Sequence, residues 1–571
     1  MADGYEQPTP QNMGGPVERY RKRATALELE RSSWLYHWQE LNDYIFPRRF
    51  RYLQYDRNKG TKKNDKIINN RATVAVRTLA SGMMAGITSP ARTWFHLLAP
   101  PRFRDDPEVK QWLGQVEKIT REELLKSNCY NVLHELYVNL AVFGTPLMYV
   151  EETPEAEDLF RAYLKPVGQY SLASSARQKV DTVYELFNMT VAQCVEEFGL
   201  EKCSQNVKNA WANREYDQWV KVRHIVEPNR LYTGKKDSKN KKWVSKWFED
   251  EANQEGFLRE SGYEEFPYMA PRWSVTGEDV YGSCPGMEAL GDVKALQLLE
   301  RRSQQAVDKV VNPPMKGPMS LKSARISLLP GDMTYVPDSV NGQKFEPAIE
   351  VKPDAISQAQ QKIQAHEFRI MQTFYTDLFR KMESMDQAPN GGKQPVTARE
   401  VNERHEEAML ELGPVLERIH GELLNPFLNR VVQILKRAGR LPPMPAKMNG
   451  ANVRVEYVSI MAQAQKILGT ASIDRFSSFV GSLSAVKQDI LDLVNFDAMI
   501  TNYADSLGIP VELLNKDEVV QQIRAQRAQQ QAQQEQMAAV QQGAEAAKAA
   551  SAAQITPDNL LGRLAGGMAS A

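Results

Sequence analysis

Apolar side chains recur at helical spacing through the first quarter of the chain. In residues 17–45 they fall three and four positions apart, which predicts an amphipathic helix. These positions are Leu27, Trp34, Leu35, Trp38 and Leu41. Residues 71–99 begin as a second helix, rich in small residues, and Pro90 in "TSPAR" opposes its continuation. From 106 to 144 the pattern is helical again, until "GTP" ends it.

The pattern changes after residue 146 to short runs of β-branched and aromatic residues separated by turn residues. Such runs are typical of antiparallel strands. They are "LMYVEE", "FRAYLKP", "DTVYELFNMT", "QWVKVRHIVEP", "KKWVSKWFED" and "GFLRESGYEEFPYMAPRW".

Two long helices bracket a small β element in the middle of the chain. Residues 286–311 form one helical pattern that ends at "NPP", as a helix stop should. Residues 313–352 carry short strand-like pieces, and a second helix follows over 354–382. Its apolar face is predicted to contain Met371, Phe374, Tyr375, Leu378 and Met382.

A polar, glycine-rich segment at 383–395 separates this helix from the next. Thr397 and Glu400 fit a capping box, which predicts a new helix that runs to about residue 438. Pro414 and Pro426 each remove an internal hydrogen bond, so kinks or breaks are expected there.

The C-terminal third begins at the boundary "GRLPPMPAKMNG". A strand, "VRVEYVS", and a small helical region over 460–513 are predicted after it. The segment from 516 to 553 is rich in Ala, Gln, Glu and Arg, which are good helix formers, yet it is polar on nearly every side. Residues 1–16 are expected to be flexible. The fold class predicted from these patterns is α+β, predominantly helical.

Charge and cysteine usage restrict the possible partners and settings. Lys plus Arg and Asp plus Glu both number 71, so bulk charge cannot hold a nucleic acid, and any contact must be local or weak. Four scattered cysteines predict neither a disulfide scaffold nor zinc, and they are Cys129, Cys194, Cys203 and Cys284. No signal peptide and no membrane span are predicted.

Two segments that resemble catalytic motifs lack residues that those motifs require. The "GGK" at 391–393 lacks the glycine and the Ser or Thr of a phosphate loop, since Gln387 and Gln394 stand at those positions. The His-Glu pairs at His134, His366 and His405 have no second histidine four residues on, so surface helix positions are the better interpretation. We expect no enzyme, no cofactor and no metal.

One basic cluster remains as candidate chemistry, at the end of the helix 286–311 and in the β element after it. It contains Arg301, Arg302, Lys309, Lys316, Lys322 and Arg325. These residues either contact an anionic partner or form a solvated face, and the sequence leaves both alternatives open.

Three segments and the order of elements resemble a known family. "RSSWLYHWQELNDYIFPRR", "ASGMMAGITSPARTWFHL" and "PVTAREVNER" look like the head-to-tail connector, or portal, proteins of short-tailed (podovirus-type) phages. The resemblance implies a wing over 17–285, completed by a kinked helix at 396–440. It implies stem helices at 286–312 and 354–382, a clip at 313–353 and a tunnel loop at 383–395. A crown at 441–515, a barrel helix at 516–554 and a tail at 555–571 complete the portal fold.

The resemblance also implies a function. Such proteins form dodecameric rings at one capsid vertex, conduct double-stranded DNA during packaging and ejection, and dock the terminase large subunit and then tail adaptor or tail tube proteins. Major capsid and scaffolding proteins are further expected partners, and the setting is the virion after assembly in the host cytoplasm. The DNA-facing residues of the tunnel loop would be Asn390, Gly391, Gly392, Lys393 and Gln394. Alternatives are a scaffolding or internal core protein and, less favoured, a packaging ATPase or nuclease.

Overall fold

A computed structural model gives the fold of the chain. It describes residues 15–50, 63–103, 106–153, 158–234, 237, 240–251, 256–316, 346–347, 352–377, 412–448, 454–457, 476–480, 495–496, 498–500 and 517–552. The chain divides into two compact units, residues 1–464 and 465–571.

The described elements alternate between helical and extended segments. The helices are α1 (Pro16–Tyr44), α2 (Arg71–Ile87), α3 (Pro107–Lys126), α4 (Cys129–Phe143), α5 (Val191–Phe198), α6 (Gln205–Ala212), α7 (Pro285–Val311), α8 (Pro353–Thr373), α9 (Asn425–Arg437) and α10 (Asp517–Ala552). The strands are β1 (Phe95–Leu98), β2 (Leu147–Glu152), β3 (Phe160–Lys165), β4 (Tyr170–Ser174), β5 (Val180–Thr190), β6 (Trp219–Pro228), β7 (Trp243–Glu249), β8 (Arg259–Tyr263), β9 (Tyr268–Met269), β10 (Met315–Lys316), β11 (Glu346–Pro347) and β12 (Arg454–Tyr457). The expected mixed, mostly helical class is confirmed.

Helix α4 is the centre of the first unit's core. Nearly every side chain from Leu136 to Phe143 is buried, which is typical of a helix surrounded by other elements. The small residues of α2 allow it to pack closely on α4, and Ala72, Ala75 and Ala80 are all buried. The predicted helix at 17–45 is therefore confirmed, and so is the helical start of 71–99, which ends before Pro90.

The helical pattern predicted over 106–144 is confirmed as two helices, α3 and α4, with a break between them that the pattern did not show. Asn128 explains the break. Its side-chain amide donates to the carbonyl oxygen of Ala162 at 2.8 Å and accepts from the Ala162 amide at 2.9 Å. The side chain thereby pairs with β3 as a strand would. The helix end at Gly144, which has φ of 79°, is as predicted.

An antiparallel sheet in the order β4-β5-β6-β7-β8 forms a separate layer of the first unit. Alternate residues of β6 point to its two faces. On one face Ile225 packs with Val17 and Leu27 of α1. On the other, Val222 packs against a cap made of α5 and α6. Four of the five strands, β5 to β8, match segments predicted from the sequence, whereas β4, α5 and α6 were not predicted.

Two smaller sheets join distant parts of the chain. Strands β3, β2 and β9 form one antiparallel sheet, and β1 pairs with β12 in the register Phe95 to Tyr457. The predicted strand at "VRVEYVS" is confirmed, and its partner lies far away in sequence.

The helix ahead of α9 contains one widened turn. Residues 412–419 are helical, and His420–Leu424 form a π-helical turn in which the amide of Asn425 donates to the His420 carbonyl. Pro426 follows and has no amide hydrogen, so the break predicted there is confirmed in this form. The carbonyls affected by Pro414 lie outside the described residues.

Glu422 in the widened turn holds a buried arginine. Its Oε1 lies 2.5 Å from Nη2 of Arg272, and its Oε2 accepts from the Arg272 backbone amide at 2.9 Å. The turn thereby fixes the segment that leads from β9 to α7.

Helix α8 ends earlier than the pattern predicted. It stops at Thr373, and Tyr375 has φ of 53°, so the continuous helix expected over 354–382 is interrupted. Tyr375 lies beside Trp273, with ring centroids 6.2 Å apart, and Phe374 is fully buried. Contacts with the core thus override the helical pattern. Leu378 and Met382 lie outside the described residues.

Candidate functional site: the α7/α8 hairpin

Helices α7 and α8 form an antiparallel hairpin. They pack on each other, and the antiparallel pair β10 and β11 joins their far ends. Helix α7 has 27 residues and is therefore about 40 Å long. The first half of α7 is buried in the core, and its second half extends away from it.

Close backbone approach fixes the start of α7. A Cβ atom at Gly286 would lie 2.7 Å from the carbonyl oxygen of Val142 and 2.9 Å from its Cα. The thiol of Cys284 also donates a hydrogen bond to the Val142 carbonyl oxygen, at 3.0 Å. Helix α7 therefore begins directly against the end of α4.

A buried amide attaches the base of the hairpin to the segment before α2. The Gln297 side chain accepts from the backbone amides of Ile68 and Asn69, at 2.7 and 2.8 Å, and donates to the Asn69 carbonyl at 2.7 Å. The Asn69 side chain in turn donates to Glu300 of α7 and Glu367 of α8, at 2.8 Å each. One short segment thus contacts both helices.

A charged cluster connects the two helices on the core side of this point. Asp292 of α7 accepts from His366 at 2.8 Å and pairs with Arg369 at 2.9 Å. Burial raises the pKa of Asp292, but the hydrogen bonds from His366 and Arg369 outweigh it and hold the pKa below its ordinary value. His366 and Glu367 were expected at the surface, and the structure instead makes them half-buried contacts of the hairpin.

The apolar stripe of α7 continues into the exposed second half of the helix. Val293, Glu300, Val307 and Val311 lie on one face, at helical spacings of seven, seven and four. Val293 is fully buried, whereas Val307 is 44% and Val311 72% exposed.

Another exposed apolar residue lies on the second helix of the hairpin. Phe368 of α8 is 56% exposed and faces away from Ile363 and Ile370, which pack on the core. Both helices of the hairpin therefore expose apolar side chains. The sequence shows that Val307 and Val311 continue the apolar stripe of α7, but it does not show that they are exposed.

The predicted basic residues that are described all lie at the surface of this hairpin. Arg301, Arg302, Lys309 and Lys316 are exposed. Arg302 and Lys309 share a face of α7 with Leu298, at spacings of four and seven residues. Lys322 and Arg325 lie outside the described residues. So do the expected tunnel-loop residues, which are Asn390, Gly391, Gly392, Lys393 and Gln394.

Helix α10 belongs to the second unit and is confirmed at Asp517–Ala552. Its 36 residues make it about 54 Å long. Almost every described side chain is exposed, including Met537 and Val540. No helix within the described ranges is long and apolar enough to cross a membrane.

A comparison with protein families identifies the class of this molecule. The sequence profile of the family "bacteriophage head to tail connecting protein" matches residues 17–514, so the chain belongs to that family. It is accordingly a structural, non-enzymatic component of the virion at the junction of head and tail.

Two curated relatives support this assignment. The chain is 44% identical over 514 residues to the portal protein of Salmonella phage epsilon15, covering 89% of this chain and 91% of that protein. It is 41% identical over 503 residues to the probable portal protein of Bordetella phage BPP-1, covering 88% of this chain and 89% of that one. The resemblance noted in the sequence is confirmed.

Solved structures also show similarity. A chain in the virion of a native gene transfer agent particle matches with a TM-score of 0.31 and 12% identity, over 70% of this chain and 89% of that one. A chain in the neck of an empty gene transfer agent particle matches with a TM-score of 0.32 and 10% identity, over 72% and 86%.

Proposed function

We propose that this chain forms a dodecameric portal ring that conducts double-stranded DNA during packaging and ejection. The observation that carries the proposal is the α7/α8 hairpin. Both of its helices expose apolar side chains, Val307 and Val311 towards the far end of α7 and Phe368 on α8 nearer the core. A head-to-tail contact that repeats around a closed circle buries both sides of every copy.

In the proposed ring, the chain would divide into the parts of a portal as follows. The hairpin helices, within 286–312 and 354–382, would be the stem, and 313–353 the clip. The sheet and helices of 17–285, with the helix at 396–440, would be the wing. Residues 441–515 would form the crown and 516–554 a barrel. Helix α10 supports the last assignment, since a helix exposed on all sides gains its packing from neighbouring copies.

The partners follow from the ring's position. The clip would meet the terminase large subunit during packaging and tail adaptor or tail tube proteins afterwards. The outer surface would meet the major capsid and scaffolding proteins. No membrane takes part in this scheme.

Weak adhesion to DNA is the chemical requirement on the bore. Each neutralised phosphate adds salt-dependent affinity, and 6–10 contacts account for roughly a thousandfold or more between low and moderate salt. The chain as a whole is neutral, and residues 390–394 have one positive charge, on Lys393. Arg301, Arg302, Lys309, Lys316, Lys322 and Arg325 are the other proposed contacts for phosphate. This sparse distribution supports sliding over retention.

Negative-stain images of the purified full-length protein test the proposal. We expect rings with a central hole and twelvefold class averages. Monomers or compact dimers at micromolar concentration would contradict it. Absence of DNA-stimulated ATP hydrolysis in the same preparation separates the ring from a packaging motor.

A further inference from the structure

Two cysteines and a glutamate meet in the α5/α6 cap of the five-stranded sheet. Cys194 lies on α5, Cys203 follows a short 3-10 turn at Leu200–Lys202, and Glu249 ends β7. The two sulfur atoms are 3.9 Å apart. The two sulfurs and a carboxylate oxygen all lie within 4.8 Å of one another. The spacing of the cysteines in sequence gave no sign of this group, because Glu249 arrives from a different element.

The carboxylate of Glu249 is buried, and its hydrogen bonds come from neutral donors. Its Oε1 accepts from the backbone amide of Ser204 at 2.7 Å, and its Oε2 accepts from the Ser204 hydroxyl at 2.6 Å. These bonds orient the carboxylate but bring no positive charge. Arg21 donates to the backbone oxygen of Glu249, and among the described residues no lysine or arginine forms an ion pair with its carboxylate. Burying an uncompensated carboxylate is costly.

We propose that Cys194, Cys203 and Glu249 bind a zinc ion. Two thiolates at the usual Zn–S distance of about 2.3 Å in a tetrahedral site lie roughly 3.8 Å apart, which matches the separation of Cys194 and Cys203. Glu249 supplies the third ligand, and the bonds from Ser204 are the outer contacts that hold such a carboxylate in place.

The fourth position has a donor close by. The carbonyl oxygen of Gly199 lies 3.3 Å from the Cys203 sulfur, so either it or a water completes the tetrahedron. A disulfide is the competing use of these cysteines. It would need the sulfurs to approach to about 2.0 Å, and it would leave the buried Glu249 without a role. The zinc site uses all three groups.

Zinc at this point would attach the helical cap to the sheet. Helices α5 and α6 have eight residues each, too few to be stable without tertiary support. The ion would join α5, the turn before α6 and the end of β7, and so contribute directly to the folding of residues 191–212.

Metal content of the full-length protein tests the proposal. Protein expressed with zinc in the medium should contain about one zinc per chain, measured by mass spectrometry of the metal. Cys194→Ser and Cys203→Ser should lose it, and Glu249→Gln should weaken it. Cys284→Ser is the matched control, since a serine hydroxyl can keep the bond to Val142, and it should retain zinc. Cobalt exchanged into the wild type should give the visible bands of a tetrahedral site and a thiolate charge-transfer band.

A measurement on the wild-type protein tests the proposal without relying on variants that could fail to fold. Removing the metal with a chelator should increase hydrogen exchange in residues 191–212 and expose Cys194 and Cys203 to alkylation, leaving Cys129 and Cys284 unchanged. Metal-free protein with two free thiols overturns the proposal. So does a Cys194–Cys203 disulfide in peptide mapping, and so does zinc that survives both cysteine substitutions.

Discussion

At the scale of single residues, His224 shows how this fold holds a titratable side chain neutral. The ring is fully buried and stacks on Trp247 with centroids 3.8 Å apart. Its Nε2 bonds to the Ser245 hydroxyl and its Nδ1 to the Tyr268 hydroxyl, each at 2.9 Å. Burial, then Lys165 and Arg259, lower the pKa of His224 well below its ordinary value. Removal of the ring from water penalises the imidazolium form, so the imidazole stays uncharged.

Acid should therefore destabilise the fold through this residue. Below about pH 6.5 the unfolded chain binds a proton at His224 that the folded chain does not. The free energy of unfolding therefore decreases by up to about 1.4 kcal/mol for each unit by which the pH is lowered. His224→Gln should remove this part of the dependence. Unfolding midpoints of both proteins between pH 7.5 and 5.5 provide the measurement. His37 and His420, whose pKa values burial also lowers, contribute equally to both proteins.

The half-exposed His134 is the matched control. His134→Gln, measured in parallel, controls for the exchange of a histidine for a glutamine. Parallel curves for wild type and His224→Gln would show that His224 does not titrate in this way.

At the scale of elements, the sequence predicted those whose structure is local. The apolar periodicity of α1 and the "NPP" stop after α7 depend on neighbouring residues, and both predictions are confirmed. The helix breaks that were not predicted depend on residues far away in the sequence. Asn128 ends α3 by pairing with Ala162, and Tyr375 turns the chain beside Trp273. A pattern of apolar positions contains no information about either partner.

Two glycines of α7 allow a test of the close contact between α7 and α4. Gly286→Ala would place a Cβ against the backbone of Val142, which no flexible side chain can relieve. We expect a loss of about 1–3 kcal/mol in the free energy of unfolding, as for other overpacked sites. Gly291→Ala, in the same helix with open space around it, should instead stabilise by about 0.5–1 kcal/mol. Denaturant titrations compare the two, and shifts of the same sign would contradict the close contact of α7 with α4.

At the scale of the whole molecule, the candidate site was only partly predictable. The basic residues of α7 were found from sequence because charge is a property of the residue. The exposure of Val307 and Phe368 was not predicted. An apolar residue at a regular helical position is interpreted as part of the core, whether its own chain or a neighbouring subunit covers it. That ambiguity is resolved only by the three-dimensional arrangement of the hairpin.

Charges at those positions should separate assembly from folding. Val307→Glu and Phe368→Glu each alter a side chain that the isolated chain already exposes, so the unfolding midpoint should change little. In the proposed ring both positions are buried between copies, where an unpaired charge is costly. We expect monomers or small oligomers in analytical ultracentrifugation. Leu231→Glu, at a position 84% exposed in the turn after β6, is the control and should still give rings. Intact rings in both hairpin variants would place the subunit contacts elsewhere.

Deletion of residues 386–394 distinguishes a loop that touches DNA from one that holds the ring together. The segment between α8 and the helix ahead of α9 contains Lys393, and twelve copies would present twelve such charges to the phosphates of a duplex. We expect rings of normal size in negative stain, and phage particles that retain or pass their DNA poorly. Lys393→Gln keeps the length of the loop and removes its charge, so DNA retention in this variant should depend less on salt than in the wild type. Rings lost on deletion would make the segment structural, and unchanged retention in both variants would remove it from the path of the DNA.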